Sequence, residues 1–159
     1  MEKNSEIDNT DIRILQELMK DAKTPYTEIA EKIFVSGGTV HVRMKKMEKM
    51  GLVKGSTLTI DFHRLGYDIT AFLGIYLEKS SMYERAADEL AKIPEVLNMH
   101  YTTGAYSIFA KIACRDTKHL QEILHGKIQM VPGISRTETF ISLEEKFNRP
   151  LQLELIDEE

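Results

Sequence analysis

The chain has 159 residues, 42% of them hydrophobic and 29% charged, with glycine and proline at only 13 positions. That mix excludes disorder or a fibrous architecture as the main state and leaves room for one medium domain or two small ones. No apolar run nears the ~20 residues that span a bilayer, and a single cysteine, Cys114, forms no internal disulfide; no membrane partner and a cytoplasmic setting are expected.

The formal charge of −4 is unevenly placed. Residues 1–60 carry ten Lys/Arg against nine Asp/Glu, and residues 61–159 carry eleven against sixteen. Within 36–54, Arg43, Lys45, Lys46, Lys49 and Lys54 face only Glu48. Screening limits distant charge to about 8–10 Å, so a local basic face can bind phosphate on an acidic protein. A solvated helix face is the plainer reading of the same run.

Taken in order, the first sixty residues read as three short helices and a wing. Ile12, Leu15, Leu18, Met19 and Ala22 recur at helical spacing behind Asp8 or Asn9 as N-cap. Thr24-Pro25 opens a second helix with the stripe Ile29, Ala30 and Ile33, ending near Phe34. Ser36 caps a third, with Val40, Met44 and Met47 on one face and the basic residues elsewhere. Gly51 suits the left-handed position after that helix, and Leu52 falls where a Schellman motif returns an apolar residue to Met47. A helix–turn–helix is built this way, its last helix entering the major groove. For Arg43 two readings stay open, a phosphate contact or an ion pair with an acid of the first helix. Leu52 to Ile60 alternates like a short strand, and residues 61–68 read as a linker.

The remainder has a β-α-β-β-α-β rhythm, which is the ferredoxin-like order. Strands are expected over Ile69–Leu77, Val96–Thr103, Tyr106–Ala113 and Ile134–Leu143, and helices over Met82–Ile93 and from Asp116 or Thr117 to Ile128. The helices cover one sheet face. The other would carry residues such as Phe72, Tyr101, Phe109 and Phe140, which points to sheet-to-sheet dimerisation. The tail, 147–159, alternates through Leu151, Leu153 and Leu155 as an extra strand would.

Taken together, these pieces resemble the leucine-responsive/asparagine-operon (Lrp/AsnC) regulators from about Asp8 to Lys146. The matching segments are Asp11-Ile12-Arg13-Ile14-Leu15, Glu28-Ile29-Ala30, Ser36, Val40, Arg43, Lys46-Met47-Glu48, Gly51-Leu52-Val53 and Leu65-Gly66. In the second half they are Pro94-Glu95-Val96, Thr103-Gly104-Ala105-Tyr106, Pro132-Gly133-Ile134 and Arg136-Thr137-Glu138-Thr139.

The resemblance implies an α+β protein: a winged helix–turn–helix over 1–60, then a ferredoxin-like ligand-sensing and oligomerisation domain over 69–146. It implies a transcriptional regulator associated with the nucleoid, homodimers assembling to a higher oligomer such as an octamer, and an amino-acid or small-carboxylate effector held between subunits. DNA contacts are expected from Ser36, Gly38, Thr39, His41, Val42, Arg43, Lys45, Lys46 and Lys49. An effector site is expected from Gly104, Ala105, Tyr106, Ser107, Thr137, Thr139 and Phe140. One departure stands out: the family turn Gly-Asp-Tyr-Asp is Gly104-Ala105-Tyr106-Ser107 here, which removes both acids that would meet an ammonium group.

The five histidines and Cys114 form no metal-binding spacing, and no phosphate-binding glycine loop or nucleophile elbow occurs. No cofactor, metal or catalytic residue is expected. Contrasting readings are a haem-precursor decarboxylase-like enzyme of the same architecture and a sensor that binds only protein partners; neither requires a basic third helix.

Overall fold

Each helix of the first unit starts and stops at a residue whose chemistry explains it. In the computed structural model, which describes residues 6–157, α1 (Asn9–Lys20) opens on Asp8. The Asp8 carboxylate accepts from the amides of Thr10 and Asp11 at 2.8 and 3.0 Å, and Asp11 accepts from the Asp8 amide at 3.1 Å. This reciprocal box satisfies donors that a helix N-terminus leaves unpaired. α2 (Tyr26–Ile33) begins one residue later than Thr24 would place it: Pro25 is itself the N-cap and supplies no side-chain bond. α3 (Gly37–Lys49) is capped by Ser36 Oγ, which accepts from the Thr39 amide at 3.0 Å. It ends in the expected Schellman motif, with Gly51 at φ 73° and the Leu52 amide donating to Met47 O at 3.0 Å.

Ile14, Ile29, Val40 and Met47 are fully buried, with Ala30 and Met44 nearly so. Each large apolar side chain hidden this way contributes roughly 1.5–3 kcal/mol against the entropy of ordering the chain. Two expectations fail in this unit. Leu52–Ile60 is not a strand, because no segment among the described residues offers it a hydrogen-bonding partner. Nor are residues 147–157 of the tail a strand. Residues 147–157 group with the first unit and lie along α1. There the Asn9 side-chain amide donates to Ile156 O at 2.9 Å while its carbonyl accepts from Ile156 N at 2.6 Å. Gln16 Nε2 donates to Leu153 O at 2.9 Å. Side-chain amides thus take the place of a neighbouring strand. Leu153 joins Ile12, Leu15, Leu18 and Val53 around an open apolar groove of about 530 Å³.

The second unit, residues 60–146, holds β1 (Ile69–Leu77), α4 (Tyr83–Leu90), β2 (Val96–Tyr101), β3 (Ile108–Cys114), α5 (Thr117–Gly126) and β4 (Ile134–Ile141). The strands form one antiparallel sheet in the order β2-β3-β1-β4, as the ferredoxin-like reading requires. Asp116 caps α5 by accepting from the His119 amide at 2.7 Å.

Strand periodicity decides which side chains meet the helices. Ala71, Leu73 and Ile75 of β1, with Ile108, Ala110, Ile112 and Cys114 of β3, point at α4 and α5 and are buried. Burial pushes the Cys114 thiol up to about 11, so it stays protonated and unreactive at neutral pH. Tyr101 corrects the sequence reading: it pairs with Ile108, shares the helix-covered face, and its ring lies 4.1 Å from that of Tyr83. A register shift between Val96 and Asn98 moves the parity of β2, which simple alternation cannot foresee.

Candidate nucleic-acid interface and sheet-face site

α3 is anchored by Val40, Met44 and Met47, which leaves His41, Val42, Lys45, Lys46 and Lys49 exposed. Val42 is 66% exposed, an isolated apolar side chain among polar ones. Ser36 and Thr39 are joined through their hydroxyls at 2.8 Å, so both serve the cap. Gly38 and its neighbour Gly37 each have space for a Cβ, so nothing inside the chain requires glycine there. No acidic side chain among the described residues lies within ion-pair reach of Lys45, Lys46 or Lys49, and the Lys46 ammonium donates to the neutral carbonyl of Glu6.

Of the two readings open for Arg43, the structure shows the ion pair with acids at the start of the first helix. Its Nη1 lies 2.7–2.8 Å from both Asp8 carboxylate oxygens and 2.9 Å from Asp11 Oδ1. Asp11 is fully buried, and an ionised carboxylate there needs a cation. Arg43 is therefore the strut that joins α3 to the N-terminus of α1. Burial opposes ionisation of Asp8, but the Arg43 guanidinium and the amides of Asp11 and Thr10 outweigh it and hold that carboxyl below its ordinary range.

The second cluster lies on the sheet face that the helices leave uncovered. Phe72, Phe109, Phe140 and Tyr106 pack there with ring centroids 5.9–6.5 Å apart. Tyr106 reaches this face because β1 carries glycine at 74: a Cβ there would sit 2.5 Å from the Tyr106 ring. The Tyr106 hydroxyl donates to Glu138 Oε2 at 2.9 Å, and the Tyr76 hydroxyl donates to Oε1 at 3.0 Å. Arg136 pairs with the same carboxylate at 3.1 Å and lies over the Tyr76 ring. The two hydroxyls, Tyr106 first, hold the Glu138 carboxyl below its usual range, while Tyr106 is raised in return.

The expected effector residues divide between faces. Tyr106 and Phe140 meet on the open face, whereas Thr137 and Thr139 pair with Ile75 and Leu73 and share the helix-side parity. The turn is held by bonds across it and by one to β1. Thr102 Oγ1 donates to Tyr106 O at 2.8 Å, the Thr102 amide donates to Ser107 O at 3.0 Å, and the Ser107 amide donates to Ile75 O at 3.0 Å. Gly104 takes φ 103°, which side-chain-bearing residues such as Ala105 rarely adopt. Sequence reasoning missed Gly74, Tyr76 and Glu138. Alternation along β1 and β4 from Phe72 and Phe140 would have placed all three on the aromatic face. Among the described residues no group of three or more His, Cys, Asp and Glu could hold a metal ion.

Comparison with known proteins decides the family. Residues 7–54 match the winged helix-turn-helix DNA-binding family, and residues 70–151 match the Lrp/AsnC ligand binding domain. The chain belongs to the Lrp/AsnC family of transcriptional regulators. It is 42% identical over 146 residues to regulatory protein AsnC of Haemophilus influenzae, covering 92% of this chain and 97% of that one. AsnC of Escherichia coli K12 is also 42% identical, over 92% and 96% of the two chains. The regulator LrpA of Pyrococcus horikoshii is 34% identical, over 87% and 97%. Among solved structures, E. coli AsnC superposes with a TM-score of 0.87 at 41% identity, covering 92% of this chain and 99% of that one. The Lrp/AsnC assignment thus rests on both units. No helix among the described residues is long and apolar enough to cross a membrane.

Proposed function

We propose that this Lrp/AsnC regulator binds duplex DNA through α3, with Lys46 and Lys49 on phosphates and Thr39, His41, Val42 and Lys45 toward base edges. The observation that carries this reading is the division of α3: Val40, Met44 and Met47 are buried, Arg43 is spent on Asp8 and Asp11, and the remaining lysines stand exposed. Phosphate neutralisation by such lysines supplies affinity, and side chains early in the helix supply sequence readout. Ser36 and Gly38 sit at the helix N-terminus, where a phosphate can approach amides closely.

Two copies would join through the open aromatic sheet face, presenting two α3 helices to a pseudo-palindromic site. Further assembly toward an octamer follows from the family resemblance. The protein acts by binding rather than catalysis, in keeping with relatives named as regulatory proteins.

The effector is a small apolar amino acid or another small carboxylate, taken at the Gly104–Ser107 turn. A structurally similar regulator from Neisseria meningitidis, 22% identical with a TM-score of 0.85, is described as its L-Met complex, which supports the ligand class. Thermal shift and calorimetry across the twenty amino acids test this. Binding should centre on apolar side chains and disappear in Gly104→Val. Silence across the panel, or binding that survives Gly104→Val, would overturn the effector assignment.

A further inference from the structure

The two turns that close α2 and α3 are built alike but carry different residues. α3 places Gly51 in the left-handed position. α2 places Phe34 there, at φ 60° and ψ 47°, the only left-handed non-glycine residue among those described. The Phe34 amide reaches Glu31 O at 3.4 Å, and the Val35 amide donates to Ala30 O at 3.0 Å, which completes a Schellman motif. That position favours glycine because Cβ crowds the following carbonyl. Val35 turns inward and packs on the core, whereas the Phe34 side chain packs on nothing: the residue is 93% exposed. An aromatic ring held outward on a strained backbone brings no fold stability that would account for the residue.

Its place in the chain says what it meets. Phe34 lies two positions before Ser36, at most about 7 Å of backbone, so its exposed ring stands near the N-terminus of α3. In a helix–turn–helix that end of the recognition helix enters the major groove. We propose that the Phe34 ring packs on the deoxyribose ridge flanking the groove that α3 enters, an apolar contact beside the lysine–phosphate contacts. This rests on the placement of α3 proposed above. A protein partner fits the site less well, because the exposed residues that flank Phe34 in the chain, Glu31, Lys32 and Ser36, are polar and build no apolar patch around it.

The test uses the full chain with Phe34→Gly and Phe34→Asn, both compatible with a left-handed backbone. Binding is measured to a duplex enriched by the wild type from a random-sequence library, and to an unselected duplex. Relief of strain should raise the melting temperature of Phe34→Gly by about 2–5 °C. Affinity for both duplexes should fall about tenfold, the size expected for losing a partly buried ring. The slope of log affinity against log salt should not change, since no counterion is involved. Binding within twofold of wild type would overturn the contact, and so would a lower melting temperature, which would mean the ring packs within the protein. Lys46→Ala/Lys49→Ala separates the two readings. If it flattens the salt slope while Phe34→Gly binds normally, only the Phe34 contact falls. If neither variant changes binding, the placement of α3 falls with it.

Discussion

Arg43→Ala should lower the melting temperature of the DNA-binding unit by more than about 10 °C. The substitution leaves Asp11 fully buried without its cation and Asp8 beside it. Removing one partner of a buried pair costs about 3 kcal/mol or more, because the other charge remains desolvated. For a unit of 60–100 residues, 1 kcal/mol is worth about 4–8 °C. Lys45→Ala on the exposed face of the same helix should stay within about 0.5 kcal/mol of wild type. Equal melting temperatures for the two variants would remove Arg43 from its structural role.

The same strut sets an acid dependence. The carboxyl of Asp8 is held below its ordinary value in the folded unit. Its contribution is therefore complete above the unfolded carboxylate range and fades as pH falls through the depressed folded value. Arg43→Ala should flatten that acid limb.

Gly74→Val should give the largest effect on the sheet. A Cβ at 74 would stand 2.5 Å from the Tyr106 ring, so the ring must leave the face and release Glu138. Forcing atoms into such a contact costs about 1–3 kcal/mol, and it also disrupts the aromatic surface proposed for dimerisation. The expected result is a lower melting temperature together with weaker self-association by sedimentation. Tyr106→Ala makes room for the new side chain, so Gly74→Val should cost far less in that background. Additive costs would show that the ring and the glycine are not complementary.

The pattern of hydrophobic spacing made the order of elements legible. Val40, Met44 and Met47 mark one helix face, and the Ile69–Leu77 strand is bounded in the structure as in the sequence. Gly51 was readable because glycine has a physical reason to end a helix. Phe34 was not readable, because the same conformation is imposed there on a residue that resists it. Tyr101 was misplaced by the register shift in β2. The Leu52–Ile60 and tail alternations read as strands, but a strand needs a partner, and spacing along one chain does not reveal whether one is present. Arg43 shows a further limit. An ion pair with an acid of the first helix is one of the two readings its charge allows, but its two acids lie 32 and 35 residues away, and which reading holds is decided only after folding.

The central claim is that the exposed lysines of α3 lie on DNA phosphates, and the salt dependence of binding tests it most directly. Affinity for the enriched duplex is titrated from about 50 to 200 mM salt for the wild type and Lys46→Ala/Lys49→Ala. Loss of two phosphate contacts should weaken binding to all sequences and reduce the magnitude of the log–log slope by about two. Unchanged affinity and slope in a well-folded double variant would contradict it.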